Sequence, residues 1–140
     1  MISTDAVTEA LRKTVEGRED FVYDRGDRGC RYASNGAPSC LVGHVIFEVA
    51  PETFRELEKY ESVFGSSASV VTLVEENYST PTLDIDELTR DALSAAQNVQ
   101  DCKAPWRYAL MAYELVMSGY TEHDALNAAF RAYDEEEGAR

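Results

Sequence analysis

NGAPSCLVGH, residues 35–44, places a turn signal directly before an apolar run, and its reading decides the fold. Asn35-Gly36 is a turn pair, and Pro38 cannot sit in the interior of a strand. Ser39 is a good helix cap for the run from Leu41 to Val49 that follows it. In this reading Cys40 and Leu41 turn inward and Gly43 permits close packing. The same ten residues also set a thiol four positions before an imidazole, so the stretch could instead carry chemistry. The turn-then-cap pattern favours the start of a buried helix.

Working outward, most of the chain has helical period. Residues 3–16 form an amphipathic pattern, capped by Ser3 or Thr4, with Val7, Ala10, Leu11, Thr14 and Val15 inward and Gly17 as the stop. Ala50-Pro51 breaks the helix begun at Leu41 and opens another, PETFRELEKYES, with Phe54, Leu57 and Val63 marking its inner face. SVVTLVEEN reads as a short helix. Asp84 and Glu87 have capping-box spacing for the helix of residues 85–100. Pro105 opens the helix of 105–118, which Gly119 ends, and Thr121 and Asp124 open the last one, 122–133. Short connections predict that these three pack as neighbours with Trp106 buried between them. Before the quoted stretch, FVYD, GDRG and CRYA in residues 21–33 read as strand, turn and returning strand. The expected fold is mainly α: a single compact helical domain, 1–134, with a small N-terminal β-hairpin. The end of the chain, 135–140, is expected to be an acidic, frayed and solvated tail.

The chain has 140 residues, 44% of them hydrophobic and 28% charged, a balance ordinary for one soluble domain. Twenty-six acidic residues against 13 basic ones give a net charge of −13. That field repels nucleic-acid phosphates and anionic membranes and favours basic protein partners. The first residues lack the basic-then-apolar order of a signal peptide, and no apolar run approaches a membrane span. Three cysteines without framework spacing suit free thiols in a reducing cytoplasm.

Three residues stand out as candidates of interest: Cys30, Cys40 and His44. Cys40 in a first helical turn would have a lowered thiol pKa, and His44, one turn on, could serve as its base. No orienting third group is visible. Cys30, Cys40, His44 and the distant Cys102 are zinc-ligand types, but their spacing does not match the usual knuckles. Arg18, Arg25, Arg28 and Arg31 are interleaved with Glu19, Asp20, Asp24 and Asp27, which predicts exposed ion pairs of small weight. No phosphate loop, nucleophile elbow or paired zinc-hydrolase histidines occur. The residues therefore suggest no catalytic set, no metal and no cofactor.

Two segments resemble a known group. YASNGAPSCLVGHVI resembles a stretch of small uncharacterised proteins from actinobacteria and their phages. AAQNVQDCKAPWRYAL is similar to their second signature, carried here by Ala96, Gln97, Gln100, Asp101 and Trp106. Cys102 departs from it, standing where a glycine would be the more usual helix stop. The resemblance implies no activity and no cofactor. It points to a phage or actinobacterial cytoplasmic accessory protein. The acidic, motif-poor character of the chain favours a non-enzymatic interaction module, and together the expectation is a phage-encoded protein acting on a host cytoplasmic protein. The alternatives are an acidic nucleic-acid mimic that blocks a DNA-binding host protein, and a Cys40–His44 thiol enzyme. Neither direct nucleic-acid binding nor membrane binding is expected, and homo-oligomerisation is left open.

Overall fold

The computed structural model describes residues 1–24, 31–65, 67–75 and 80–138. Among them are seven helices and one two-stranded hairpin: α1 (Thr4–Val15), β1 (Ala33–Ser34), β2 (Ala37–Pro38), α2 (Leu41–Val49), α3 (Pro51–Phe64), α4 (Val70–Val74), α5 (Glu87–Asp101), α6 (Trp106–Met117) and α7 (Glu122–Gly138). The fold is thus mainly α, as the helical periods predict. No helix among the described residues is long and apolar enough to cross a membrane.

The first helix forms as its sequence dictates. The Ser3 hydroxyl accepts from Ala6 N–H at 3.1 Å. Val7, Ala10, Leu11, Thr14 and Val15 are buried, and the chain leaves through Gly17 at φ 78°. α5 starts two residues later than the capping-box spacing suggests. Asp86, not Asp84, is its cap, accepting from Thr89 N–H at 2.8 Å. Asp84 is used elsewhere, pairing with the chain's amino group at 3.4 Å. Thr4 donates to the Asp86 carboxylate at 3.2 Å, so α1 and α5 begin in one hydrogen-bonded cluster.

The hairpin exists but is displaced from FVYD and CRYA. Its strands pair Ala33 with Pro38 and Ser34 with Ala37 in antiparallel register. Asn35 (φ 53°) and Gly36 (φ 81°) supply the two left-handed residues that a tight two-residue turn needs. Residues 21–24 are not part of a strand, and GDRG and Cys30 lie outside the described residues. Pro38 is tolerated because it ends β2 rather than standing inside it.

α3 corrects a second expectation. Phe54 and Leu57 are buried, but the next inward position is Glu61, 2% exposed, whereas Val63 is 76% exposed. The spacing 54, 57, 61 continues one helical face, and residue 63 lies off it. Burial of Glu61 is compensated by two hydrogen bonds: its side-chain oxygens accept the N–H of Tyr32 at 2.9 Å and of Ala33 at 3.0 Å. α3 therefore anchors the hairpin.

α5 packs against α6, and both pack against α7. Trp106 is buried, at 1% exposed, but its aromatic partners come from outside this trio. Phe21 meets it edge-on at 4.6 Å between centroids and His44 at 5.6 Å. The acidic end also differs from a frayed tail, because α7 continues through Gly138. Arg107 pairs there with Glu137 at 3.0 Å and Glu136 at 3.6 Å, offsetting negative charge at a helix C-terminus.

Candidate functional site

The site is the junction where the hairpin becomes α2. Cys40, extended at φ −79° and ψ 170°, is the cap of α2, one residue beyond Ser39. Its sulfur accepts from Gly43 N–H at 3.4 Å. The Ser39 hydroxyl is instead engaged by the Tyr23 hydroxyl at 3.1 Å. The displacement follows from the loop. Ser39 N–H donates to the Tyr32 carbonyl at 2.9 Å and Cys40 N–H to the Arg31 carbonyl at 3.0 Å, so Ser39 still belongs to the hairpin's hydrogen bonding.

Helix termini leave N–H groups without intrahelical partners. Here one is met from α5, 59 positions along the chain. Gln100, fully buried near the end of α5, accepts Leu41 N–H on its side-chain oxygen at 2.7 Å. Gln97 extends its amide toward the Cys40 sulfur at 3.9 Å. The two segments singled out in the sequence, around Cys40 and around Gln97–Trp106, are therefore packed together. Gly43 makes that approach possible: a Cβ there would overlap the Tyr32 carbonyl oxygen and stand 2.9 Å from its carbonyl carbon.

The structure brings Cys40 and His44 together but through the wrong atoms for a thiol–base pair. His44 Nδ1 lies 2.9 Å from the Cys40 carbonyl oxygen, and Nε2 lies 3.4 Å from Arg18 Nη1. A carbonyl only accepts and a guanidinium only donates. The ring is therefore neutral, with its proton on Nδ1 and its lone pair facing Arg18. Burial lowers the imidazole pKa, the bond to Cys40 opposes this, and the Arg18 charge lowers it further. Neither ring nitrogen is left to draw a proton from the thiol, and the Cys40 side chain is 0% exposed.

The remaining candidates do not join this junction. Cys30, Arg25 and Arg28 lie outside the described residues, and Cys102 is exposed at the end of α5. The left-handed residue there is Lys103, at φ 63°. Among the described residues, no group of three or more His, Cys, Asp or Glu side chains is gathered closely enough to hold a metal ion.

Arg18 is not the ion-paired residue its acidic neighbours suggest. Its guanidinium lies 5.3 Å from the Trp106 ring centroid, and its Nε donates to the Thr14 carbonyl at 3.0 Å. Arg31 bonds the Gly65 carbonyl at 2.8 Å. The ion pair forms instead between Asp20 and Arg107, 87 positions apart. The contribution of Arg18 to this site had no sequence signal beyond its charge, whereas Gln97 and Gln100 stood within the second resembling segment.

From Phe21 the aromatic contacts run through Trp106 to His44, and Phe47 follows His44 on the same side of α2. Phe21 is 44% exposed and Phe47 38%. Exposed acids border them in sequence: Glu19 and Asp20 beside Phe21, and Glu48 beside Phe47. Other exposed carboxylates are spread over the helices, among them Asp5 and Glu9 on α1, Glu52 and Glu56 on α3, Glu87 on α5 and Asp134 on α7. No family model, curated protein or solved structure matches the chain.

Proposed function

We propose that this protein is a non-enzymatic interaction module that docks a basic protein surface on the stripe formed by Phe21, His44 and Phe47. In this reading it is a phage accessory protein whose partner is a host cytoplasmic protein. The observation that carries the reading is the exposure of two phenylalanines, Phe21 edge-on to Trp106 and Phe47 edge-on to Phe54, with exposed carboxylates beside them in sequence. Aromatic anchors within a charged rim are the usual composition of a binding surface. The net charge of −13 selects for a cationic partner and speeds encounter with it. The neutral, doubly engaged imidazole and sealed thiol support an interaction role over thiol chemistry.

The test is a paired capture from actinobacterial lysate with the native protein and a Phe21→Ser/Phe47→Ser variant, both checked for folding. A partner retained by the native protein should be lost by about tenfold or more in affinity with the variant, as for loss of two anchoring aromatics. It should also be released by salt. Cys40→Ser should retain it. A partner held equally by the double variant would refute the stripe, and loss with Cys40→Ser in a folded protein would return the thiol to the centre.

A further inference from the structure

Residues 18–22 run across the start of α6. The carbonyl of Phe21 accepts Trp106 N–H at 2.9 Å, and that of Glu19 accepts Arg107 N–H at 3.0 Å. These bonds cap α6 from a distant segment, since Pro105 precedes the helix and offers no side-chain cap. The Phe21 ring and the Arg18 guanidinium then cover the indole. The covering residues are not themselves sealed: Phe21 and Val22 are 44% and 43% exposed, whereas Trp106 beneath is 1% exposed.

One side chain fastens this segment to the end of the molecule. Arg107 pairs with Asp20 of the segment and with Glu136 and Glu137 of α7, and its guanidinium bonds the Tyr108 hydroxyl at 3.1 Å. Tyr108 in turn donates to Glu136. Three carboxylates thus share one guanidinium. The Asp20 side chain is 86% exposed and that of Glu136 54%, so these pairs are readily screened by salt. The covered state also carries a cost. Among the described residues, the buried indole nitrogen of Trp106 has no hydrogen-bond partner. A buried donor without an acceptor is destabilising, and uncovering it relieves that.

We infer that residues 18–22 are a strap over Trp106, latched by Arg107 through Asp20, and that loosening this latch uncovers the indole. The strap's closed form displays Phe21 and Val22. Its open form adds the indole N–H, so ionic conditions or a competing cation near Asp20 select between two surfaces. The inference does not depend on any partner being bound.

Trp106 is the chain's single tryptophan, so its fluorescence reports the strap directly. Quenching by neutral acrylamide would be compared at low salt and at about 1 M NaCl, where the Debye length is about 3 Å. The quenching constant should rise about twofold in high salt, the scale of losing one exposed ion pair. Asp20→Asn and Arg107→Gln should each reach that raised value at low salt and respond little to added salt. Far-UV circular dichroism checks that the variants remain helical. Should Arg107→Gln unfold, the exposed Asp20→Asn site and the salt response decide the matter. Quenching indifferent to salt and unchanged in Asp20→Asn would overturn the strap.

Discussion

Replacing Gly43 with alanine is expected to destabilise the protein by at least about 3 kcal/mol, the upper range for inserting a methyl group into a packed core. The reason is local and severe. The added Cβ would overlap the backbone of Tyr32, not the end of a flexible side chain. That backbone cannot yield cheaply, because Tyr32 N–H is held by buried Glu61, its carbonyl receives Ser39 N–H, and its hydroxyl donates to the Ala68 carbonyl at 2.6 Å. Moving it would disturb the hairpin, α2 and α3 together. Urea unfolding followed by circular dichroism measures the loss. Gly36→Ala offers a contrast: its Cβ would meet nothing closer than a Glu58 side-chain oxygen at 3.6 Å, so the cost there is backbone strain at φ 81° alone. Comparable stability of Gly43→Ala and the native protein would mean that α2 does not lie against Tyr32.

Trp106→Ala should cost about 3–5 kcal/mol, the usual loss on truncating a buried large aromatic. Its ring joins three separate parts of the chain: Phe21 of the segment after α1, His44 of α2, and the start of α6. Removing it leaves a cavity bordered by the strap and withdraws the surface on which Arg18 lies. Because the substitution deletes the only tryptophan, unfolding must be read by circular dichroism rather than by intrinsic indole emission. Trp106→Phe should recover part of the loss, since it keeps an aromatic body in the same place. A change below about 1 kcal/mol would contradict the burial of this ring.

Local signals were legible where one segment supplies all the interactions. The cap at Ser3, the five inward residues of α1, the Pro51 and Pro105 starts and the short α4 follow from propensity and period. The hairpin was legible in kind but not in place, because two turn signals compete between residues 21 and 38 and both have strand formers beside them. The Asn35-Gly36 pair forms the turn that is seen, since both of its residues accept positive φ. What escaped a reading of the sequence are partners distant in the chain. Gln100 meeting Leu41, Glu61 meeting Tyr32 and Ala33, and Glu19 and Phe21 meeting the first N–H groups of α6 have separations that no periodicity encodes. The cap of α2 fell one residue late for the same reason: the Tyr32 carbonyl holds Ser39 in the hairpin.

We propose that residues 35–44 act as a structural joint rather than as a reactive centre. Thiol reactivity follows the thiolate fraction and access, and Cys40 is sealed with its neighbouring imidazole engaged on both nitrogens. The direct measurement is the time course of iodoacetamide labelling near neutral pH, with each cysteine resolved by peptide mass spectrometry. In the native protein the exposed Cys102 should label early, and Cys40 should stay unlabelled until denaturant unfolds the chain. Labelling of Cys40 in the folded protein at a rate equal to or above that of Cys102 would contradict the account.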